Sequence, residues 1–298
     1  MTADSLPDIF WLLAGGAGLY IGTALMAIAA ATVMINSSLA GRLVGLLLFS
    51  IGGTSVIISA TPLPTWTYAA AIIFALPWLT LVIVGTRRRQ KFSCILLLLT
   101  ASALTACDLP FYLMPDIQGT GYDRLVVVGD SLSAGMGHKN IKTWPSLIAE
   151  RHGIHTENRA VAGATVGSAL KRQTAGSDLQ NSLVLLEIGG NDTFLDTPKD
   201  AFERDLEALI RHLQKPSNLL IMLELPIMPT DLEYGRIQRR LASELNVTLV
   251  PKRYLVNVLS TQGNTLDLAH LTQQGHEQMA RMVWELVGDA VIQPAKQN

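Results

Sequence analysis

The sequence predicts an all-α membrane region followed by an α/β domain built on a parallel sheet. Two observations carry this prediction: nearly all charges lie in the second part of the chain, and only that part alternates strand-length apolar runs with helical patterns. Residues 1–107 hold 2 acidic and 5 basic side chains, whereas residues 108–298 hold the other 22 and 18. With 49% hydrophobic and 16% charged residues overall, the chain is too apolar for one soluble domain and therefore divides in two.

The first 107 residues contain uncharged runs that are long enough to cross a membrane. No charged residue occurs in 9–40 or in 43–86, and a membrane-spanning helix needs about 20 mostly apolar residues. Residues 61–65 divide the second run, because the two prolines there lack a backbone donor and resist helix continuation. We therefore expect membrane helices near residues 9–34, 43–60 and 66–85.

A fourth apolar segment, 92–106, follows the basic cluster 87–91 and is short for a membrane span. Positive charge in short loops marks the cytoplasmic side of a membrane, so we expect the cluster and Arg42 in the cytoplasm. By alternation, the N-terminus and the domain after residue 107 lie on the other side. Because apolar runs flank the cluster and the net charge is −1, we expect no nucleic-acid partner.

The two cysteines, Cys94 and Cys107, both lie in or beside the fourth segment. The α/β domain therefore has no disulfide and relies on its core. Positive residues, an apolar stretch and the sequence LTAC at 104–107 resemble a bacterial lipoprotein signal, in which the cysteine is acylated after cleavage. The alternative is that Cys107 is a small buried residue at a helix end. The sequence leaves both interpretations open.

From residue 124 onward, strand-length apolar runs alternate with helical patterns. Such alternation predicts a parallel sheet with helices on both faces. Residues 108–123, which contain two prolines and two glycines, predict a linker. In open sheets of this kind, ligands bind at the carboxyl ends of the strands. The predicted strands are residues 125–128, 160–161, 183–188, 219–225 and 248–250.

Four short blocks follow predicted strands or precede a helical pattern: GDSLSAG at 129–135, AVAGA at 160–164, GGND at 189–192 and DLAH at 267–270. The first places Ser131 in a glycine-bracketed turn at the end of a strand, where a hydroxyl at the rim of a sheet can meet a substrate. Each block alone could be a turn with only a geometric role. Ser, Gly, Asn and His in this order resemble the SGNH (GDSL) hydrolase superfamily. Within it, GDSLSAG, the following Trp144-Pro145 and the E-x-G-G-N-D block at Glu187–Asp192 resemble the thioesterase I, lysophospholipase and arylesterase branch.

The resemblance covers roughly residues 124–291 and implies a flavodoxin-like, three-layer SGNH hydrolase domain at 124–298. A serine needs a base to take its proton, and His270 is the candidate for Ser131. Asp267 can accept a hydrogen bond from the other ring nitrogen of His270. By resemblance, the oxyanion donors are the backbone N–H groups of Ser131 and Gly163 and the amide of Asn191.

One position departs from the family pattern, because Leu271 follows the candidate base where the family usually has proline. Proline fixes its own φ angle and restricts the residue before it. Its absence removes a constraint on the loop that aims His270. The resemblance also leads us to expect a histidine at position 276 on the surface.

These observations predict a membrane-anchored serine ester or thioester hydrolase that works through an acyl-enzyme. Its expected substrates are acyl esters such as lysophospholipids, and its expected place is the bacterial inner membrane, multi-pass, with the hydrolase domain in the periplasm. No metal-ligand cluster or phosphate-binding glycine loop occurs, so we expect no metal and no cofactor. Two alternatives stay open: an O-acetylesterase or acyltransferase acting on an envelope polysaccharide, and a non-catalytic membrane component that only binds a partner.

Overall fold

A computed structural model describes residues 8–117, 121–137, 140–176, 179–267 and 270–291. The chain divides into two compact units. The helical unit comprises Leu12–Leu113 together with Met228–Leu232, and the α/β unit comprises the rest, chiefly Met114–Ile227 and Glu233–Asn298. This division agrees with the separation of charges along the sequence.

Within the described residues, the helical unit carries four helices that are long and apolar enough to cross a membrane. The predicted first span, 9–34, is two helices, because Gly16 adopts a left-handed conformation with φ 84° that interrupts the helix. Residues 61–64 form the expected turn before the helix that begins at Thr65. The helices are α1 (Asp8–Ala14), α2 (Ala17–Ile35), α3 (Leu39–Ile58), α4 (Thr65–Val84) and α5 (Arg87–Tyr112).

The last of these helices, α5, is longer than the fourth apolar segment in the sequence. It has 26 residues, begins in the basic cluster and continues through Cys107 into the stretch predicted as a linker. Near its end, the Tyr20 hydroxyl donates to the buried Asp108 carboxylate at 2.9 Å, and the Tyr20 and Tyr112 rings lie 4.4 Å apart. These tertiary contacts extend the helix where composition alone predicts a linker. Its length favours a membrane span at Cys107, and acylation of that cysteine stays a prediction.

The described part of the α/β unit is built on a five-stranded parallel sheet with the order β2-β1-β3-β4-β5. This is the flavodoxin-like order, so the predicted fold class is confirmed. All side chains of the central strand are buried, as expected for a sheet covered on both faces. The strands are β1 (Arg124–Gly129), β2 (His155–Asn158), β3 (Ser182–Glu187), β4 (Leu219–Leu223) and β5 (Thr248–Val250).

The prediction for the second strand is wrong, because β2 lies at His155–Asn158 and not at 160–161. β2 is an edge strand that pairs only with β1, and its side chains are exposed or half-buried. Its sequence HTEN therefore carries no apolar run. Residues 160–161 form the loop that follows, where the Val161 N–H donates to the Gly129 carbonyl at 3.1 Å.

Helices flank the sheet, and their apolar stripes form its core. In the helix at 199–213, the predicted stripe is fully buried: Phe202, Leu206, Leu209, Ile210 and Leu213. Two very short helices follow β1 and β3 at the carboxyl edge of the sheet. The helices are α6 (Ser131–Ala134), α7 (Trp144–His152), α8 (Val166–Ala175), α9 (Gly190–Phe194), α10 (Lys199–Leu213), α11 (Leu232–Glu244), α12 (Lys252–Ser260) and α13 (Gln273–Val287).

Candidate active site

Ser131 is the first residue of α6 and follows β1 after the single residue Asp130. We call residues 130–133 the Ser131 turn. The Asp130 carboxylate caps α6 by accepting the Leu132 N–H at 3.0 Å, a role for which aspartate is well suited. The Ser131 side chain is 8% exposed. Its hydroxyl has no hydrogen-bond partner among the described residues, so it is available to a substrate.

Gly163 lies in the loop after β2 and adopts φ 74°, the left-handed region that favours glycine. A side chain there would meet nothing within 4 Å. The backbone conformation, not crowding, therefore requires glycine at this position. Among the described residues, neither the Gly163 N–H nor the Ser131 N–H has an acceptor.

Asn191, in α9, brings the candidate segments together. Its Nδ2 donates to the Asp130 Oδ2 at 3.1 Å and to the Ala164 carbonyl at 3.0 Å. One amide thus links the residue before Ser131 to the residue after Gly163. Gly189 directs the chain into α9 with φ 114°, and a Cβ there would lie 2.9 Å from Leu225.

His270 and Asp267 form the second part of the candidate site. The His270 Nδ1 lies 2.7 Å from the Asp267 Oδ2, and the His270 backbone N–H donates to the Asp267 Oδ1 at 2.8 Å. With a proton on Nδ1, the Nε2 of His270 carries a lone pair. A positive charge on His270 lowers the pKa of Asp130. Among the described residues, no hydrogen bond joins His270 to Ser131. Residues 268–269 of the DLAH block lie outside the described residues.

The loop that carries His270 is held by backbone hydrogen bonds. Leu271 is buried and forms an antiparallel bridge with Thr265. The Leu266 N–H donates to the His270 carbonyl at 2.7 Å, and the Thr272 N–H donates to the Asn264 carbonyl at 2.8 Å. These contacts constrain the loop although position 271 is leucine.

Burial of acidic groups dominates the electrostatics around the Ser131 turn. Burial raises the pKa of Asp130 to about 6, against the lowering effects of the Leu132 N–H and of His270. The negative charge of Asp192 raises it further. Burial also raises the pKa of Asp192, and it raises the pKa of Glu187 well above its usual range.

His276 corrects the expectation of a surface histidine. It is 1% exposed, and its Nδ1 accepts the Trp144 N–H at 3.3 Å. Burial lowers the pKa of its imidazole to about 4, so the ring is neutral at neutral pH. The contact between α13 and α7 gives His276 a packing role.

Two further polar side chains order the surroundings of the site. The sequence did not single out Asn158, and it indicated Asp192 only as a turn residue with a supporting role. Asn158, the last residue of β2, donates from Nδ2 to the Ser133 carbonyl at 2.8 Å. Asp192 is buried, and its Oδ2 accepts the Val166 N–H at 2.9 Å, which fixes the start of α8. Their positions in the sequence could have indicated a role at the site, since Asn158 ends β2 and Asp192 closely follows β3. Among the described residues, no cluster of three His, Cys, Asp or Glu side chains could hold a metal ion.

Comparison with known proteins places this site in a family. Residues 127–278 match the GDSL-like Lipase/Acylhydrolase family model. An arylesterase from Vibrio mimicus is 30% identical over 141 residues, which cover 43% of this chain and 70% of that protein. Thioesterase 1/protease 1/lysophospholipase L1 from Escherichia coli (strain K12) is 29% identical over 154 residues, which cover 47% of this chain and 72% of that protein.

A solved structure shares the fold. The crystal structure of the psychrotrophic esterase EstA from Pseudoalteromonas sp., inhibited by monoethylphosphonate, superimposes with a TM-score of 0.50 at 19% identity. The match covers 56% of this chain and 97% of that one. Because the family model spans half of the sequence and the α/β unit has the matching fold, the chain belongs to the GDSL-like lipase/acylhydrolase family and carries an SGNH-type ester hydrolase domain.

Proposed function

We propose that this protein is a membrane-anchored serine hydrolase that cleaves acyl esters or thioesters, such as lysophospholipids, on the periplasmic side of a bacterial inner membrane. Family membership supports the hydrolase chemistry. The names of two relatives, arylesterase and thioesterase 1/lysophospholipase L1, support carboxylic esters, thioesters and lysophospholipids as substrate classes. Four helices that are apolar enough to span a membrane support the anchor.

In the proposed mechanism, the Ser131 hydroxyl attacks the acyl carbonyl while the His270 Nε2 takes its proton. The Asp267 carboxylate, 2.7 Å from the other ring nitrogen, orients the imidazole and stabilises its positive charge. His270 then returns the proton to the leaving alcohol or thiol, which leaves Ser131 acylated. Water, activated by the same histidine, hydrolyses this acyl-enzyme and restores the free serine.

The proposed oxyanion hole consists of the two free backbone N–H groups of Ser131 and Gly163 and the Asn191 amide. Preorganised donors of this kind stabilise the charge that develops on the carbonyl oxygen. Both Nδ2 hydrogens of Asn191 are bonded in the free protein, to Asp130 and Ala164. The oxyanion therefore replaces one of these acceptors when the tetrahedral intermediate forms.

The distribution of exposed apolar side chains carries the proposal of an acyl substrate. Among the described residues of the α/β unit, every exposed large apolar side chain lies within five positions of a proposed site residue. Phe194 and Leu195, just after Asn191, are 74% and 70% exposed. Exposed apolar side chains that flank the proposed site residues along the chain support the binding of an apolar acyl group. We call this set the apolar rim: Met136, Val161, Phe194, Leu195 and Leu266.

A series of p-nitrophenyl esters from C2 to C16 tests the substrate class. Each methylene buried against the apolar rim should contribute up to about 0.8 kcal/mol, so kcat/KM should climb several-fold per added carbon until the site is full. Phe194→Ser, which removes the most exposed member of the rim, should flatten this climb. The measurement is kcat/KM of the full-length protein across the series.

The same series separates the acyl-ester proposal from the alternative of a polysaccharide O-acetylesterase. An enzyme that removes only acetyl groups has no room for longer chains, and its kcat/KM should decline beyond C2. A maximum at C2, unchanged in Phe194→Ser, would rule out the lipid-directed function and favour the acetylesterase.

The proposed topology has its own test. Four spans return the chain to the side of the N-terminus, and the basic cluster 87–91 at the start of α5 favours the cytoplasm for that end of the helix. A reporter that is active only in the periplasm, fused after residue 298, should therefore give a signal in a Gram-negative host. Activity only from a reporter that requires the cytoplasm would reverse the topology.

A further inference from the structure

Glu187 places a buried carboxyl group at the carboxyl end of the central strand, where the other side chains are mostly apolar. It is the last residue of β3, and in the parallel register it lies beside Gly129 at the end of β1. Its side chain is 2% exposed. Because burial of a carboxylate is unfavourable unless it is paired, its hydrogen-bond partners indicate what holds it there.

The hydrogen-bond partner of Glu187 lies two residues after Ser131. The Glu187 Oε2 accepts the Ser133 hydroxyl at 2.7 Å. Gly129, two residues before Ser131, permits this approach, since a Cβ there would lie 2.8 Å from the Glu187 Oε2. The carboxylate therefore lies against the chain before Ser131 and holds it by a hydrogen bond after Ser131.

The charge of Glu187 has no cationic partner among its described contacts. Burial raises the pKa of the carboxyl, and the negative charge of Asp130 raises it further, whereas the Ser133 hydroxyl and the Asp130 N–H lower it. The hydrogen bond from the Ser133 hydroxyl is thus what stabilises this carboxylate. The dependence is mutual, because the same bond ties the Ser131 turn to the end of β3.

Glu224 provides a matched comparison on the neighbouring strand. It follows β4 and is 1% exposed, but its carboxylate pairs with Arg239 at 2.7 Å and accepts the Lys252 N–H at 3.1 Å. A buried glutamate with a structural ion pair therefore exists in the same sheet. Glu187 differs from it in partner, since its described hydrogen bond goes to the Ser131 turn.

We propose that Glu187 is a positioning residue that holds the Ser131 turn in the geometry for attack. The proposal rests on the proposed function, in which Ser131 is the nucleophile and its N–H is an oxyanion donor. Glu187 contacts no reacting atom, and it acts through its hydrogen bond to Ser133, two residues after Ser131. Displacement of a reacting group by about 1 Å can lower the rate by roughly 10²-fold, so loss of this clamp lowers turnover more than substrate binding.

The test compares Glu187→Gln with Glu224→Gln in the full-length protein, well below the unfolding temperature of each variant. The measurements are kcat and KM for a p-nitrophenyl ester and the rate of inactivation by a p-nitrophenyl alkylphosphonate. In that inactivation the serine oxygen bonds to phosphorus, p-nitrophenolate leaves and the hydroxyl proton passes to His270, so it reports the geometry of Ser131 directly. Mass spectrometry locates the phosphonylated residue.

We expect kcat and the phosphonylation rate of Glu187→Gln to fall together by about 10- to 100-fold with KM nearly unchanged. Glu224→Gln should lower the unfolding temperature, because it removes a buried ion pair. It should keep both rates within about twofold of wild type, because Glu224 does not contact the Ser131 turn in the described part of the chain. Equal rates in the two variants would overturn the proposal.

Ser133→Ala removes the same hydrogen bond from the side of the turn and decides the question if Glu187→Gln does not fold. A fall of about tenfold in its kcat and phosphonylation rate supports the proposal, and wild-type rates contradict it. In the double variant the two effects should be non-additive, because both act through one contact. Phosphonate attached elsewhere than Ser131 in the wild-type protein would contradict the proposed function itself, which keeps the two failures distinct.

Discussion

Replacement of Ser131 by alanine should lower kcat/KM for p-nitrophenyl esters by roughly 10⁴-fold or more while the protein stays folded. Without the hydroxyl, no acyl-enzyme forms, and only binding and oxyanion stabilisation remain. The Ser131 hydroxyl makes no hydrogen bond among the described residues, so its removal leaves no buried partner unsatisfied. Steady-state kinetics and the thermal unfolding midpoint of the full-length protein measure the two parts of this prediction.

His270→Ala and the double variant serve as controls for that result. Residues that act as one catalytic unit show strongly non-additive losses, so Ser131→Ala/His270→Ala should be no slower than either single variant by more than a few-fold. Wild-type-like turnover in Ser131→Ala would remove Ser131 as the nucleophile. A double variant in which the two losses multiply would mean that His270 does not act on Ser131.

Asn191→Ala should lower kcat by about 10²- to 10³-fold, the range for loss of one oxyanion donor. The variant also removes the amide that joins Asp130 to Ala164. Because the amide acts on charge that develops only in the transition state, KM should change much less than kcat. The measurement is the separation of kcat from KM for a short-chain ester.

Asn158→Ala is the matched control for Asn191→Ala. The Asn158 amide also bonds the Ser131 turn, through the Ser133 carbonyl at 2.8 Å, but it is no part of the proposed oxyanion hole. We expect its kcat to fall far less than that of Asn191→Ala. An unchanged rate in Asn191→Ala would show that the amide keeps its two bonds throughout the reaction and serves only to hold the turn.

The sequence predicts the buried parts of the fold well because burial on both faces leaves a continuous apolar run. β1, β3 and β4 have this pattern, and their predicted positions agree closely with the structure. β2 lies at the edge and needs no apolar run, so its polar residues gave no signal. The length of α5 was missed for a related reason, since contacts with Tyr20 hold its final turns.

The candidate site residues could be predicted from the sequence, but the contacts among them could not. Ser131, Gly163, Asn191 and His270 lie in short blocks whose order is informative. The amide bridge from Asn191 to Asp130 and the contact between Glu187 and Ser133 join residues that are 61 and 54 positions apart. Such partners depend on the register of β1 against β3, which only the folded sheet determines.

The buried ionisable groups of the α/β unit also determine how many protons the folded chain binds compared with the unfolded chain. The pKa of Asp130 is about 6 in the folded chain, compared with 3.8 for the unburied group, so Asp130 binds more protons when folded at pH values between the two. The pKa values of Glu187 and Asp192 are raised as well. The pKa of His276 is about 4 in the folded chain, compared with 6.5 for the unburied group, so His276 binds fewer protons when folded and opposes the effect of the carboxyls.

Stability that comes from a neutral His276 is present above pH 6.5 and is lost as the pH falls toward 4. The three carboxyls make the opposite contribution, because the penalty for burying their charge disappears as each takes up a proton. Asp130 therefore contributes proton uptake on folding between its two pKa values, where His276 contributes proton release. The urea midpoint of Asp130→Asn should fall more between pH 7.5 and pH 5 than that of the wild-type protein, because the variant lacks the gain in stability that protonation of Asp130 brings. An equal change in the two proteins would contradict the raised pKa of Asp130. Burial of an acid beside Ser131 thus makes the stability of the α/β unit depend on mildly acidic pH.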